Sequence, residues 1–546
     1  MLIVLDRSGE SVTATRLDDD GTVLGADAVP DLAVFVAEQE RESHPRWVWD
    51  DTRRWYPRLL HAGVRVDRCH DLRLCHAILR LSELAAGSEL AAAPPGPWDA
   101  PAVGQTADDG LFAIDDAVAP DPLAEYSAQR AAVDGCGDPA RLSRLLAAES
   151  VGALIAAELH HAGLPWSPEA HDRILTGILG PRPRIEGERP ERMQQLLDEV
   201  RRLLDAPTLN PDSQSALLTA LQHAGLRVAS TSKWELQRLE HPAIAPLLEY
   251  KRLARLLSAN GWQWLETWVQ AGRFRPEYVP GGVVTGRWAT SGGGALQLPK
   301  QIRGAVVADP GWKLVVADAA QLEPRILAAM AGDRGMVEAG AAGDLYAGIV
   351  ASGAVADRQQ AKIGMLGAMY GATSGEGGRV LPRLARAYPR AIALVEEAAR
   401  TGERGGVVST RLGRSSPPPG SDWARGLGED ATPVQSARAR ERARAWGRFT
   451  RNFVVQGTAA EWALCWMAGI RRRLRELSAD AWLTDGPHLV FFLHDEVVVH
   501  TPDALAPDVA DAVTAAAVEA GRLLFGALPV TFPLTMAVVD DYGQAK

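Results

Sequence analysis

Two aspartates and a lysine, each set among apolar residues, are where this sequence concentrates its chemistry. Asp318 closes an apolar run in KLVVADAAQLEPRILAAMAGD, and Asp495 stands with Glu496 between two apolar runs in HLVFFLHDEVVVHT. Carboxylates delivered from two separate elements are what a pair of divalent cations about 4 Å apart requires, one activating an attacking oxygen and one steadying a leaving oxygen. Lys362 lies between them in the chain, in DRQQAKIGMLGAMYGATSGEG. Arg is used almost everywhere and Lys only at 233, 251, 300, 313, 362 and 546, so a compact ammonium at 362 carries information. A triphosphate would want it there. Each feature also has a plainer meaning: an Asp after a strand is commonly a turn or cap residue, and a charged helix stripe is commonly a solvated face.

Those groups need elements to hold them. Leu314 to Ala317 reads as a short buried strand with Asp318 at its tip, and a helix follows at once. Pro324 suits a first helical turn, where its missing N–H would be unpaired anyway, and Ile326, Leu327 and Met330 then share one face. Asp318, Gln321, Glu323 and Arg325 thus crowd one strand-to-helix junction. The β-rich runs around His494-Asp495-Glu496 predict a hairpin with adjacent carboxylates at its tip, although the tip lacks the Gly or Asn of a tight primed turn. Arg358, Lys362, Leu366 and Tyr370 recur at i, i+4, i+8 and i+12. On a helix they form one stripe about 18 Å long, led by cations and ended by an aromatic.

In this order the three stretches resemble motifs A, B and C of the family A DNA polymerases, the DNA polymerase I group. Motif A of that family runs Asp, Tyr, Ser, Gln, Ile, Glu, Leu, Arg, and here stands as Asp318, Ala319, Ala320, Gln321, Leu322, Glu323, Pro324, Arg325. Motif B, an Arg with Lys at +4, an aromatic at +8 and Tyr-Gly at +12, is similar to Arg358, Lys362 and Tyr370-Gly371, with Leu366 in the aromatic's place. His494-Asp495-Glu496 matches motif C outright. Thr285-Gly286-Arg287 and Leu296-Gln297 resemble the family's palm segment that touches the primer terminus and the minor groove.

The resemblance implies an α/β (α+β) right-hand polymerase fold: a palm with an antiparallel sheet, helical fingers and thumb, and an N-terminal ribonuclease-H-like domain of the 3′→5′ exonuclease type. Its parts would fall at residues 1–135 (degenerate exonuclease-like domain), 136–280 (thumb and connecting helices), 281–333 and 446–546 (palm) and 334–445 (fingers). It further implies a monomer that adds dNTPs to the 3′-hydroxyl of primer-template DNA with two Mg²⁺ ions. On that reading Asp318 and Asp495 are catalytic and, with Glu496, ligate metal. Arg358 and Lys362 clamp the triphosphate, Lys362 also protonating pyrophosphate, and Glu323 is the steric gate at the 2′-position. Gln321, Tyr346, Leu366 and Tyr370 complete the nucleotide site. Arg287, Gln297, Arg448, Asn452, Gln456 and His494 meet DNA, and Arg and Gln can sample minor-groove acceptors common to every base pair without reading sequence. Arg448, Asn452 and Gln456 recur at i, i+4 and i+8, a polar stripe on an otherwise apolar helix.

Several positions depart from the family's pattern. Ala319 and Ala320 replace a Tyr and a Ser, Tyr346 stands where a His is common, and Gly292 to Gly294 replace bulkier residues. Leu366 lacks the aromatic face that stacks on the nucleotide, an interaction worth about 1–3 kcal/mol, so a slow, low-affinity polymerase is expected. A catalytically weak or inactive DNA-binding protein on the same scaffold is the alternative, but binding alone has no use for paired acids that repel phosphate. A single-subunit RNA polymerase is disfavoured by Glu323.

The rest of the chain sets the frame. Its 546 residues, 47% hydrophobic, can build several cores. No apolar run approaches 18 residues, the N-terminus lacks a secretory signal, and Cys69, Cys75, Cys136 and Cys465 form no disulfide framework, so a cytoplasmic protein with no membrane partner is expected. A net charge of −10 opposes nucleic-acid binding overall but not by a local basic groove, and Arg438, Arg440, Arg442, Arg444, Arg448 and Arg451 cluster in sequence. Near the N-terminus two strands around a turn are predicted. Leu5-Asp6-Arg7-Ser8 lacks the Asp-x-Glu of the first exonuclease motif, and Tyr126 is followed at +4 by Arg130 where the third has Asp, so proofreading is not expected. Asp50, Asp51, Asp67 and Asp71 leave acids for a residual nuclease. Residues 84–110 read as an exposed Ala/Pro/Gly linker, helices begin past Asp138, and HPAIAPLLEYKRLARLLSANGWQWL resembles a thumb helix with Lys251, Arg252 and Arg255 as phosphate contacts.

Overall fold

The computed structural model describes residues 1–100, 120–185, 187–371, 375–420, 423, 432–478 and 481–545. They form two compact units, one of residues 1–162, 277–292 and 311–538, the other of residues 163–276, 293–310 and 539–546.

The first unit opens with strands β1 (Leu2–Ser8), β2 (Ser11–Leu17), β3 (Val23–Ala28), β4 (Arg46–Trp49) and β5 (Arg68–Asp71), paired in the order β3-β2-β1-β4-β5. The first three are antiparallel, while β4 and β5 run parallel to β1 and need helical crossovers, supplied by α1 (Leu32–Glu42) and α2 (Thr52–His61). Leu2 to Leu5 are all buried because β1 is central and covered on both faces. Asp31, Asp51 and Asp71 each cap a helix, the last being α3 (Leu72–Leu81), so acids that sequence alone leaves available to a nuclease are used by backbone N–H groups. The expected linker is partly folded. Ser88 caps a single turn, Glu89–Ala92, Leu90 is buried, and Arg80 donates to the carbonyls of Leu90 and Ala91; residues 101–110 lie outside the described residues.

Two helices, α4 (Pro122–Asp134) and α5 (Pro139–Ala162), lead into the rest of this unit. α5 is buried on most sides and carries two buried acids. Glu158 accepts from the Tyr56 hydroxyl at 2.6 Å and from Arg471 at 2.8 and 3.0 Å. Burial opposes its charge, but the Arg471 and Arg65 guanidiniums outweigh it and hold the carboxyl down at about 2.

The second sheet comprises β6 (Trp312–Ala319), β7 (His488–Leu493), β8 (Glu496–Pro502) and β9 (Leu534–Val539), ordered β7-β8-β6-β9. β6 and β7 both run antiparallel to β8. Its centre, Leu314 to Ala317 against Val497 to Val499, is β-rich and fully buried, which fixes strand identity and register together. Around it lie α6 (Leu322–Ala331), α7 (Leu345–Ala351), α8 (Arg358–Tyr370), α9 (Pro389–Glu403), α10 (Pro433–Ser478) and α11 (Ala506–Phe525). α10 is one continuous helix of 46 residues, so the arginine cluster and the Arg448/Asn452/Gln456 stripe share an axis. Of that cluster Arg451 is buried, donating to the Ala368 carbonyl and pairing with Glu396.

The second unit is mainly helical, with Pro168–Leu179, Glu191–Leu203, Gln214–His223, Ile244–Asn260 and Trp262–Trp268 around an aromatic cluster of Trp166, His171, Trp264 and Phe274. Ser213 caps 214–223 as the Asn-Pro-Asp-Ser pattern predicts. Of the three cations expected on phosphates, Lys251 spends its ammonium on the Thr231 carbonyl at 2.7 Å, Arg252 is exposed but pairs with Glu249, and Arg255 is exposed. Among the described residues no helix is long and apolar enough to cross a membrane.

One buried acid of α10 makes stability depend on pH. Glu461, 1% exposed, accepts from the Leu412 N–H at 2.8 Å and contacts the Thr410 hydroxyl, which also reaches the Arg414 carbonyl at 3.1 Å. One hydroxyl proton cannot serve both acceptors, so the network closes when Glu461 carries a proton and donates to Thr410. Consistently, burial pushes this carboxyl up to about 7, against the Thr410 and Leu412 hydrogen bonds and the Arg414 and Arg141 charges. The unfolded side chain titrates near 4.3, so this contribution to stability is complete below about pH 4 and is lost as pH rises through 7. Glu461→Gln keeps the donor and acceptor without the charge. Thermal denaturation should show it more stable than the parent at pH 8, by up to about 3 kcal/mol, with the gap narrowing as pH falls and closing near pH 4.

Candidate active site

The register of β6 on β8 sets the backbones of Asp318, Asp495 and Glu496 next to one another. Asp318 is the direct cross-strand partner of Glu496, and the Ala319 N–H donates to the Asp495 carbonyl at 2.8 Å. Opposed residues of an antiparallel pair have Cα atoms about 5 Å apart and side chains on one face, so Asp318 and Glu496 share a face, and Asp495 stands in the adjoining turn. That turn is tight: Leu493 pairs with Glu496, His494 takes φ +59°, and the Asp495 N–H bonds back to the Leu493 carbonyl at 2.7 Å. The hairpin forms without Gly or Asn at the tip, His494 taking the left-handed position itself. Tyr278 steadies β7, donating to the Phe492 carbonyl and accepting from its N–H.

The junction after Asp318 is held from both sides. Gln321, also left-handed at φ +56°, precedes α6 and accepts from the Leu345 N–H while donating to Asp344 Oδ1, both at 2.8 Å. Asp344 caps α7 and accepts from Arg358 Nε at 2.8 Å with its other oxygen. Burial works against the Asp344 charge, but hydrogen bonds from Arg358, Ala347 and Gln321 hold the carboxyl below its usual range. The Arg358 guanidinium lies over the Tyr346 ring, 5.5 Å from its centroid. Burial, then the charge of Glu323, pushes the Tyr346 hydroxyl up to about 12, so it stays a neutral donor. Beneath, Arg325 is 2% exposed and donates to the carbonyls of Ala320, Gly340, Gly343 and Thr531, tying this junction to the loop that ends in Asp344.

The far end of α8 returns to the same junction. The Tyr370 hydroxyl donates to Glu323 Oε2 at 2.8 Å and lies near the side chains of Asn452 and Gln456 of α10. Gln456 in turn accepts from the Thr285 hydroxyl at 3.4 Å, and Arg287 donates to His494 Nδ1 at 3.2 Å. Burial and the neighbouring Arg287 both lower the His494 imidazole, keeping it an acceptor. Arg448 lays its aliphatic stem over Gly371 at the end of α8. Since Arg358 reaches Gln321 through Asp344 and Tyr370 reaches Glu323, both ends of α8 are pinned to one junction. The residues between on that stripe, exposed Lys362 and half-buried Leu366, face the same way, while Ala361, Met365, Ala368 and Met369 are buried. Gln297 lies in the other compact unit and its side chain is outside the described residues.

The donor set tells which ion suits this edge. Asp318, Asp495 and Glu496 offer only oxygen, and among the described residues no three His, Cys, Asp or Glu side chains converge as a ready-made metal cage. A hard cation that keeps waters and takes its remaining ligands from phosphate fits such a site; zinc does not.

Residues 184–542 match the family model described as DNA polymerase family A. The chain belongs to that family. It is 28% identical over 396 residues to the thermostable DNA polymerase I of Thermus thermophilus, covering 65% of this chain and 44% of that protein. It is 27% identical over 330 residues to DNA polymerase I of Chloroflexus aurantiacus, covering 54% of this chain and 32% of that protein. The matches thus span less than half the length of these relatives. The POL domain of Pol1 from M. smegmatis, solved with DNA primer-template and dNTP, shares the fold with a TM-score of 0.68 at 16% identity, covering 100% of this chain and 95% of that one. The family A polymerase fold expected from the resemblance is the fold found.

Asp344 escaped the motif comparison with family A, although its signal is local: an Asp directly before LYAGIVA is a helix-cap pattern. Because it serves α7, Gln321 and Arg358 together, Asp344→Ala should lose the cap and strand two donors. Urea unfolding is expected to show a loss of about 2 kcal/mol, against well under 1 for Asp344→Asn, which retains a capping oxygen.

Proposed function

We propose that this chain is a template-directed DNA polymerase, adding dNTPs to a primer 3′-hydroxyl. The observation that carries the reading is α8 pinned by Gln321–Asp344–Arg358 at one end and Glu323–Tyr370 at the other, with its stripe facing the junction beside Asp318 and the Asp495 turn. Asp318 and Asp495, with Glu496, would hold two Mg²⁺ ions. When bound, such ions lower the pKa of the attacking hydroxyl and neutralise charge on the α-phosphate and leaving pyrophosphate. Arg358, aimed by Asp344 and Tyr346, and Lys362 one turn on would grip the triphosphate tail, and Lys362 would supply a proton to pyrophosphate. Glu323, fixed by Tyr370, would crowd the 2′-position and favour deoxyribose. Arg287, His494, Asn452, Gln456 and Arg448 would meet the primer-template.

The other parts follow from the same reading. The second sheet would be the palm, α7 to α9 with the start of α10 the fingers, and the 136–280 helices the thumb, in a monomer acting in the cytoplasm. The β3-β2-β1-β4-β5 order supports a ribonuclease-H-like N-terminal domain. Its acids support the absence of proofreading: Asp50 pairs with Arg54 and Trp55, Asp51 with Arg53, Asp71 caps α3, and Arg7 lies over Trp55. A catalytically weak or inactive DNA-binding protein is the alternative, and Leu366, Ala319 and Ala320 are the residues that favour it.

Primer extension with dNTPs against rNTPs decides between them. The parent should extend with dNTPs, and Asp318→Ala or Asp495→Ala should lose roughly 10³-fold in rate, about 4 kcal/mol, while still binding primer-template. A parent that binds DNA but extends no primer establishes the alternative. Leu366→Phe should lower the dNTP KM roughly ten-fold by restoring a stacking face, and an unchanged KM would show that stacking does not limit this enzyme.

A further inference from the structure

The turn that presents Arg287 rests on a buried ion pair. In residues 281–287 the Gly286 N–H bonds to the Val283 carbonyl at 2.7 Å and the Val283 N–H to the Arg287 carbonyl at 3.0 Å. Directly beneath lie Glu149 of α5 and Arg414, joined by one contact of 2.6 Å from Nη2 to Oε2, with Glu149 1% exposed. Their other atoms press on the turn. A Cβ at Gly281, φ +61°, would sit 2.8 Å from Glu149 Oε1, and one at Gly286, φ +83°, 2.5 Å from Arg414 Nε. Among the described residues neither Oε1 nor Nε has a hydrogen-bond partner, so the pair's shape is given to the two glycines rather than to a second hydrogen bond.

Arg414 is itself immobilised from three directions. Its loop receives the Ser82 hydroxyl at the Gly413 carbonyl, and Ser415 accepts from the Glu83 N–H. Arg141 of α5 donates to the Thr410 carbonyl, and Thr458 and Glu461 of α10 accept from the Arg411 and Leu412 N–H groups. A buried ion pair is poor at adding stability compared with apolar side chains of like volume, so its position calls for another role.

We propose that Arg414, locked by Glu149, is a positioning residue that sets the 281–287 turn and thereby aims Arg287 at the primer end of the site. The N-terminal residues that brace this loop then serve as support for DNA engagement. The role assigned to Arg287 rests on the polymerase reading; the coupling of the pair to the turn does not.

Two readouts on the full chain keep these apart. In steady-state extension, Arg414→Met should raise the primer-template KM roughly ten-fold with little change in dNTP KM, and should add nothing to Arg287→Ala, since both act through one side chain. Arg414→Lys keeps the charge but not the planar contact under Gly286 and should recover only part of the loss. In hydrogen exchange, the Val283 and Gly286 amides should exchange faster in Arg414→Met, and also in Arg414→Met/Glu149→Leu, an apolar pair that preserves the fold if the single variant unfolds. Unchanged exchange at those amides overturns the proposal, as do additive KM effects of Arg414→Met and Arg287→Ala. If the parent extends no primer, the polymerase reading fails while the exchange experiment still decides the coupling.

Discussion

Asp318 faces Glu496 across the β6–β8 ladder, and the rest of the site is arranged around that pairing. Alternation along a strand has a period of two, so a slip of one residue would carry Asp318 into the core and Ala317 or Ala319 to the edge. The slip is prevented away from the site, by Leu314, Val315 and Val316 packed against Val498, Val499 and His500. The chemistry of the edge is therefore specified by apolar residues that never touch a substrate.

Two backbone irregularities convert this ladder into a site. Gln321 and His494 are two of five non-glycine residues with positive φ among the described residues, and each follows a strand end within two residues or less. Such conformations cost of order 1 kcal/mol or more and persist where surroundings determine them. Here the surroundings are explicit: Gln321 is held by Asp344 and Leu345, and His494 by Arg287. Glycine in either place would relieve the backbone but would remove the side chain that makes the connection.

What the chain's order of residues discloses, and what it does not, divides along contact range. The Asp318 strand, the 494–496 hairpin and the i, i+4, i+8, i+12 stripe of α8 are local patterns and form as their periodicity predicts, from Arg358 to Tyr370 in the last case. The direction of that stripe is not local. It depends on Asp344, fourteen residues upstream of Arg358, and on Tyr370 finding Glu323 across 47 positions. Likewise Asp51 and Asp71 look like spare acids until α2 and α3 are seen to begin on them, and Arg451 looks like part of a surface cluster until Glu396 and the Ala368 carbonyl bury it. The hairpin tip departs from turn preference for a further reason: His494 is chosen for what its side chain meets, at the expense of what its backbone prefers.

The placement of buried charge also explains why the N-terminal residues cannot be treated as a detachable appendage. Tyr56 and Arg65 share Glu158 with Arg471 of α10, whose guanidinium also caps the Val66 and Asp67 carbonyls. Removing those residues would strip the Arg471–Glu158 pair of its hydrogen bonds to Tyr56, Val66 and Asp67, leaving only those between the two side chains. The same α5 that presents Glu158 presents Glu149 two turns earlier, under the Arg287 turn. α10, braced at Arg471, carries Asn452 and Gln456 to Tyr370. A sheet whose acids are spent on caps and ion pairs thus remains bound, through one helix on each side, to the geometry of a site it does not line.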